Sequence, residues 1–336
     1  MSKLIVVFGV TGTQGSSVAE TFLRLPGWRV RGTSRNPQSE TAQAMAAKGV
    51  EVVQADFNNQ ATLAPALEGA AVIFCNTDFF VNMLDALKPG AAPLPAGCRS
   101  VNEHAYHVEV AQNVAVAEAA ATSPSVMATL ERFVLSSLSH ASRWSKGEIT
   151  SLWHYDSKAE VERVIRERFP DLAARMSTVQ IGHYVENWRA LALMAPQRQD
   201  DGSFAVLRPH APNVDIPFVV ARRDTGAFVK ALVDAPAGTD LLGASEIMTW
   251  PKWLELWGRI NGVKASFKQV PQADFFQSVP EPFSTELWDS HAYFEKFGHT
   301  GGDPKVVTPE QLGITKTLTT MEEYIRSEDW SSVLES

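Results

Sequence analysis

Cysteine is almost absent: the chain carries only Cys75 and Cys98. That leaves no disulfide framework and no zinc-ligand spacing, and it fits a reducing compartment. Long apolar runs are missing as well. No stretch approaches the eighteen or so residues of a membrane-spanning helix. The N-terminal run Leu4-Ile5-Val6-Val7-Phe8 stops at Gly9, too short for the core of a secretory signal. The expectation is a soluble, cytoplasmic protein that makes no membrane contact. Basic clusters are lacking too: 30 basic and 38 acidic residues give a net charge of −8, with the cations dispersed. A protein that displaces counterions from nucleic acid needs them grouped, so DNA and RNA are not expected as direct ligands. Finally, no Gly-x-Ser-x-Gly elbow makes Ser136 or Ser137 a nucleophile.

What the chain does have is a regular alternation. Its 336 residues suffice for one large α/β domain with an appended lobe, or for two modest domains. Short apolar runs at Leu4–Phe8, Trp28–Thr33, Val50–Ala55, Ala71–Cys75, Phe133–Ser136 and Thr178–Gly182 read as strands. Most are continuously apolar, the pattern of parallel strands covered on both faces. Helical stretches lie between them, among them Ser16–Leu25 and the Pro- and Gly-free Val101–Ala121. Pro26-Gly27 and Lys48-Gly49 stop the first two helices. Eight of the nine tryptophans lie beyond residue 140. Trp250, Trp253 and Trp257 follow a cap-like Thr249 and an N1-like Pro251 at helical spacing, so they read as one buried stripe. Leu87–Ser100, rich in Pro, Gly and Ala, joins no regular element and is expected to be a mobile loop near the site. The fold class expected is α/β: a Rossmann-type doubly wound parallel sheet over 1–182, with a smaller C-terminal substrate lobe over 183–336 whose strands interleave with the sheet.

The first strand runs into Gly9-Val10-Thr11-Gly12-Thr13-Gln14-Gly15, which opens a helix. Glycines there allow a tight turn and bring backbone N–H groups to a pyrophosphate at the positive end of the helix. Thr11, Thr13 and Gln14 fill the loop between them. Cofactor choice is read at the end of the second strand, about twenty residues on. There the chain has Thr33-Ser34-Arg35-Asn36-Pro37 and no acid to accept from a ribose 2′-hydroxyl. Arg35 instead offers a planar guanidinium for a 2′-phosphate, which favours NADP(H). Asp56 follows the third strand and suits either the adenine end or a plain turn. Thr77, after the fourth strand, and Ser136, at the end of the fifth, are expected as further cofactor contacts, with substrate as the alternative partner of Ser136 and Ser137.

Together these segments resemble the NmrA-like branch of the atypical short-chain dehydrogenase/reductases. The residues that carry the resemblance are the glycine loop with its Thr-Gly-x-Gln-Gly core, Thr33–Pro37 and Val52–Asp56. To these add His154-Tyr155-Asp156-Ser157-Lys158 and Ile181–Trp188, the latter with Tyr184, Glu186 and Asn187. The resemblance spans roughly residues 3–330. It implies NADP(H) binding with Arg35 at the 2′-phosphate and Lys158 near the nicotinamide ribose. It also implies either a working reductase or a protein that reports cofactor state to a partner.

Reductases of the wider group place a tyrosine four residues before the lysine, where it protonates the substrate oxygen. Here that position is His154, and Tyr155 stands three before Lys158. His154, Tyr155 and Tyr184 are therefore the candidate proton donors, each with a packed aromatic as its alternative. His104 and His107 lie three apart with Glu109 nearby, but no third ligand is evident, so no metal is expected and a partly exposed polar helix face is the reading. The function expected is NADPH-dependent reduction of a small carbonyl, enone or imine compound. The alternative is a non-catalytic NADP(H) sensor acting through a protein partner. Oligomeric state stays open.

Overall fold

The residues described are 2–277 and 279–335 of a computed structural model. In chain order the strands are β1 (Lys3–Val7), β2 (Trp28–Ser34), β3 (Glu51–Gln54), β4 (Val72–Cys75), β5 (Arg132–Ser137), β6 (Met176–Ile181) and β7 (His183–Tyr184). They continue as β8 (Gln197–Arg198), β9 (Phe204–Arg208), β10 (Asp215–Val219), β11 (Asp240–Gly243), β12 (Glu246–Thr249), β13 (Ala265–Gln269) and β14 (Val306–Val307). The six apolar runs read as strands all form strands, with ends shifted by two residues or fewer.

Eight strands make one sheet in the order β14-β11-β6-β5-β4-β1-β2-β3. Every pairing in it is parallel, from Lys3 beside Trp28 to Leu241 beside Val307. Two of the eight strands, β11 and β14, come from beyond residue 182. Burial on both faces explains the unbroken apolar runs. Leu4 and Val6 of β1 face a core shared with Val116, Val161 and Ile165, from the helices Val101–Ala121 and Trp153–Arg168. Ile5 and Val7 face the opposite core, with Val18 and Phe22 of the helix Thr13–Leu23 and Phe228 and Leu232 of the helix Ala221–Asp234. Those last two helices meet at Gly226, where a Cβ would lie 2.1 Å from Thr21 Oγ1 and 2.5 Å from the Ser17 carbonyl oxygen.

Strand order reverses between β1 and β4, which opens a crevice at their carboxyl ends. The first helix starts at Thr13 rather than Ser16, because Gly12 in extended backbone serves as its N-cap and its carbonyl accepts from Ser16 N at 3.0 Å. The long helix runs Val101–Ala121 as expected, capped by the Ser100 side chain.

Beyond β6 the chain also forms two three-stranded sheets, β12-β10-β7 and β13-β9-β8. Their core gathers Trp250, Trp253 and Trp257 with Tyr324 and Trp330. The tryptophan stripe belongs to the helix Trp250–Asn261, where the Thr249 side chain accepts from Lys252 N and Gly262 ends the helix at φ +69°. Residues 87–100 form neither helix nor strand, and 87–97 are exposed throughout.

Candidate functional site

At the mouth of β1 the glycine loop closes on itself. Gly9 has φ +67°, and its carbonyl accepts from Gly12 N at 2.9 Å. A Cβ on Gly15 would sit 2.2 Å from that same oxygen and 2.9 Å from Val10 Cα, so nothing larger than glycine fits. Thr11 and Gly12 are exposed and Thr13 partly so, which leaves the N-terminal turn of the helix open to a ligand. Gln14 is buried and turned inward. It donates to Tyr184 OH at 2.8 Å and accepts from Ser136 Oγ at 2.8 Å, tying the loop to β5 and β7.

Arg35, just past β2, is exposed, and among the described residues its guanidinium makes no ion pair or hydrogen bond. Asp56 is partly engaged: one carboxylate oxygen accepts from Asn58 N at 2.9 Å in an Asx turn. A closed glycine cradle, free N–H groups at a helix start and an uncommitted guanidinium fit a dinucleotide that carries an extra phosphate.

The far side of the crevice is built differently. Lys158, on the helix Trp153–Arg168, lies 2.5 Å from Oε1 of Glu109, which is fully buried on the helix Val101–Ala121. The same oxygen accepts from Thr77 Oγ1 at 2.8 Å, and the other accepts from Ser157 Oγ. Asn113 Nδ2 donates to Thr77 Oγ1 at 2.6 Å, and Cys75 Sγ reaches Asn113 Oδ1 at 3.2 Å. Burial pushes the Cys75 thiol up to about 12, so it is a neutral member of this network. Thr77 also turns its carbonyl toward Lys158 Nζ, at 3.4 Å.

One helical turn before Lys158, His154 places Nδ1 2.5 Å from Oε1 of Glu286 on the helix Phe283–Phe297. Its ring packs 5.3 Å from Phe80 and 5.9 Å from Phe79, and keeps 14% of its surface exposed. Tyr155 points elsewhere. It is 2% exposed, its hydroxyl sits 2.9 Å from His299 Nδ1, and Tyr293 and Phe294 pack around its ring. Burial holds that hydroxyl well above the usual tyrosine range and also raises Tyr184. A hydroxyl that resists ionisation is a poor proton donor.

Three groups here were not singled out by the sequence reading: Asn113 and Glu286, and Glu109 in any role but an exposed or metal-ligating one. Glu109 is neither; it is the buried partner of the lysine, while His107 faces solvent. A signal was available. Asn102, Ala105, Glu109, Asn113, Val116 and Ala120 follow helical spacing and are all buried, so polar residues sit in the apolar stripe of one helix. For Glu286 no such local signal exists.

The sequence profile of the NmrA-like family matches residues 1–325. An NmrA-like family domain-containing oxidoreductase of Aspergillus hancockii is 27% identical over 311 residues, covering 90% of this chain and 84% of its own. The negative transcriptional regulator NmrA, solved with NADP, superposes with a TM-score of 0.68 at 20% identity, over 97% of this chain and 95% of that one. An NADPH-dependent quinone oxidoreductase of Escherichia coli, solved with NADPH, superposes with a TM-score of 0.66 at 23% identity, over 96% and 98%. At such identities the structural likeness establishes the fold. Among the described residues no helix is long and apolar enough to cross a membrane.

Proposed function

Because the chain belongs to the NmrA-like family, we propose that it is an NADPH-dependent reductase, of the atypical short-chain type, acting on a small carbonyl, enone or imine compound. The observation that carries the reading is the pair Lys158 and His154. They stand one turn apart on one helix, each backed by a fully buried glutamate and each still partly exposed. Bound NADPH supplies a hydride; the chain's residues hold the cofactor and manage the proton. Gly9, Gly12 and Gly15, with Thr11, Thr13 and the N-terminal turn around Gln14, receive the pyrophosphate, and Arg35 takes the 2′-phosphate. Asp56 keeps one free carboxylate oxygen for the adenine end. Lys158 spends one N–H on Glu109 and turns another toward Thr77, which leaves a third for the nicotinamide ribose. Thr77 and Ser136 border that end of the crevice.

His154 is the proton donor in this reading, with Tyr155 and Tyr184 assigned to packing and to positioning Gln14. Phe79 and Phe80 pack on the histidine, Phe283 stacks on Phe80, and these rings suit a flat, largely apolar substrate. Residues 1–182 act as the cofactor half and 183–336 as the substrate lobe, with β11, β14 and the helix Ala221–Asp234 returning to the first. Two free thiols suit a reducing cytoplasm.

One observation favours a second reading. The position that usually bears tyrosine bears His154, and the fold is shared with a regulator solved with NADP. Single-turnover oxidation of NADPH with a panel of aromatic aldehydes, quinones and enones separates the two. His154→Ala is expected to slow the reaction about a hundredfold with NADPH affinity nearly unchanged, and Tyr155→Phe and Tyr184→Phe to slow it far less. A parent protein that binds NADPH tightly yet oxidises it with no member of the panel is the regulator. A partner that distinguishes NADP⁺ from NADPH is then the object of search.

A further inference from the structure

Glu286 lies in the substrate lobe, is completely buried, and meets hydrogen-bond donors at both oxygens. Oε1 is 2.8 Å from the backbone N of His154 and 2.5 Å from its Nδ1. Oε2 is 2.9 Å from Asn102 Nδ2. The second contact of that amide settles its orientation, because Nδ2 also lies 3.2 Å from the Pro282 carbonyl oxygen, which only accepts. A backbone N–H only donates, and a carboxylate only accepts. Nδ1 must therefore bring the hydrogen to Oε1. The ring's other nitrogen, Nε2, is left as the atom that gains and loses a proton. Phe79, Phe80 and Tyr155 pack around the ring and hold it in that plane.

Resting on the reading of His154 as proton donor, we propose that Glu286 is its positioning residue: it holds the ring with Nδ1 protonated and gives Nε2 the task of proton transfer. In the step, the Nε2–H bond of the doubly protonated ring breaks as an O–H or N–H bond forms on the reduced substrate. Its electron pair stays on the ring, which ends neutral with Nδ1–H still on Glu286. A proton from solvent restores the starting state. The carboxylate compensates the ring's positive charge while it lasts, the arrangement that makes histidine effective beside a buried acid in hydrolases. Glu286 also draws the acid's geometry from the substrate lobe, so the lobe's seating and the donor's readiness are linked.

A purely structural role is the competing account, since Oε1 also satisfies a free N–H in the first turn of the helix Trp153–Arg168, whose N-cap Leu152 makes no side-chain bond. Tautomer state separates the two. Long-range nitrogen–proton correlation on protein labelled with ¹⁵N-histidine, with His154 assigned by comparison with His154→Gln, reads which ring nitrogen carries hydrogen in the neutral ring. The native protein is expected to show Nδ1–H. In Glu286→Gln the amide nitrogen faces a donor whichever way it turns, and when turned toward His154 it donates to Nδ1, so the share of the Nδ1–H form should fall. NADPH oxidation should fall at least a hundredfold while the NADPH dissociation constant stays within about twofold. A native ring protonated at Nε2 overturns the proposal, whatever the turnover. Glu286→Gln reacting at the parent rate overturns it and leaves the reductase reading standing. Absence of any turnover in the parent overturns the reductase reading, and with it the donor role that Glu286 is proposed to serve, even if Nδ1–H is observed.

Discussion

The proposed phosphate end and the proposed nicotinamide end of the crevice lie on the same sheet yet are finished in opposite ways. At the phosphate end the groups come from two short segments, Gly9–Gly15 and Arg35, and their donors stand open: Thr11, Gly12 and the Arg35 guanidinium are exposed. At the other end the groups come from five separate segments, and they are nearly all satisfied within the protein. Glu109 alone receives Lys158, Thr77 and Ser157. An open end draws its order from the ligand, whereas a saturated one is organised before any ligand arrives. The first is costly to alter in affinity and the second in stability.

The largest effect expected is at the saturated end. Glu109→Ala leaves the Lys158 ammonium, 12% exposed, without the one carboxylate it meets among the described residues, and should destabilise the fold by about 3–5 kcal/mol in urea or guanidinium unfolding. A loss under 1 kcal/mol would mean that the ammonium finds water, and that the nicotinamide end is as open as the other. Acid should act next. Burial holds His299 down to about 4 and His183 down to about 3, with Arg208 adding to the second. Both folded values lie below the unfolded one of about 6.5, so the unfolded chain binds more protons as pH falls from 6.5. Their stabilising contribution is complete above about pH 6.5 and is lost as pH drops toward the folded values, on the order of 1–2 kcal/mol per ring by pH 5. Unfolding midpoints measured from pH 7.5 to 5 should show this slope, and His299→Gln should flatten it. No group in Gly9–Gly15 titrates there, so the phosphate end should hold its shape over the same range; a slope unchanged in His299→Gln would refute the assignment.

The smallest effect belongs to the open end. Arg35→Ala removes one charge-assisted bidentate contact, and calorimetry should show NADPH weakened ten- to a hundredfold, about 1.5–3 kcal/mol, with NADH little changed. Stability should not move, since among the described residues the Arg35 guanidinium makes no hydrogen bond or ion pair. Equal affinity of the parent protein for both cofactors would remove the basis for the preference.

How much of this was written in the chain follows the same division. Six strands, the long helix, the tryptophan stripe and the glycine loop were all legible, because each depends on residues close together in sequence: period, caps and turn glycines. The loop's contact with β2, where a Cβ on Gly32 would lie 2.6 Å from Val10, came only from the structure. His154 and Lys158 were visible as a pair one turn apart. Their partners were not. Glu109 lies 49 residues before the lysine, and Glu286 lies 132 residues after the histidine. Glu109 left a trace only in its place on the buried stripe of its helix, and Glu286 left none, because the burial of each is made by other elements. Likewise Tyr155 was a candidate by spacing until the distant His299, Tyr293 and Phe294 enclosed it. The sequence by itself determined six of the sheet's eight strands, the cradle and the two basic side chains on one helix. Only the tertiary structure decided which acid each base would meet, because the cost of burying a charge is set by every element that closes around it.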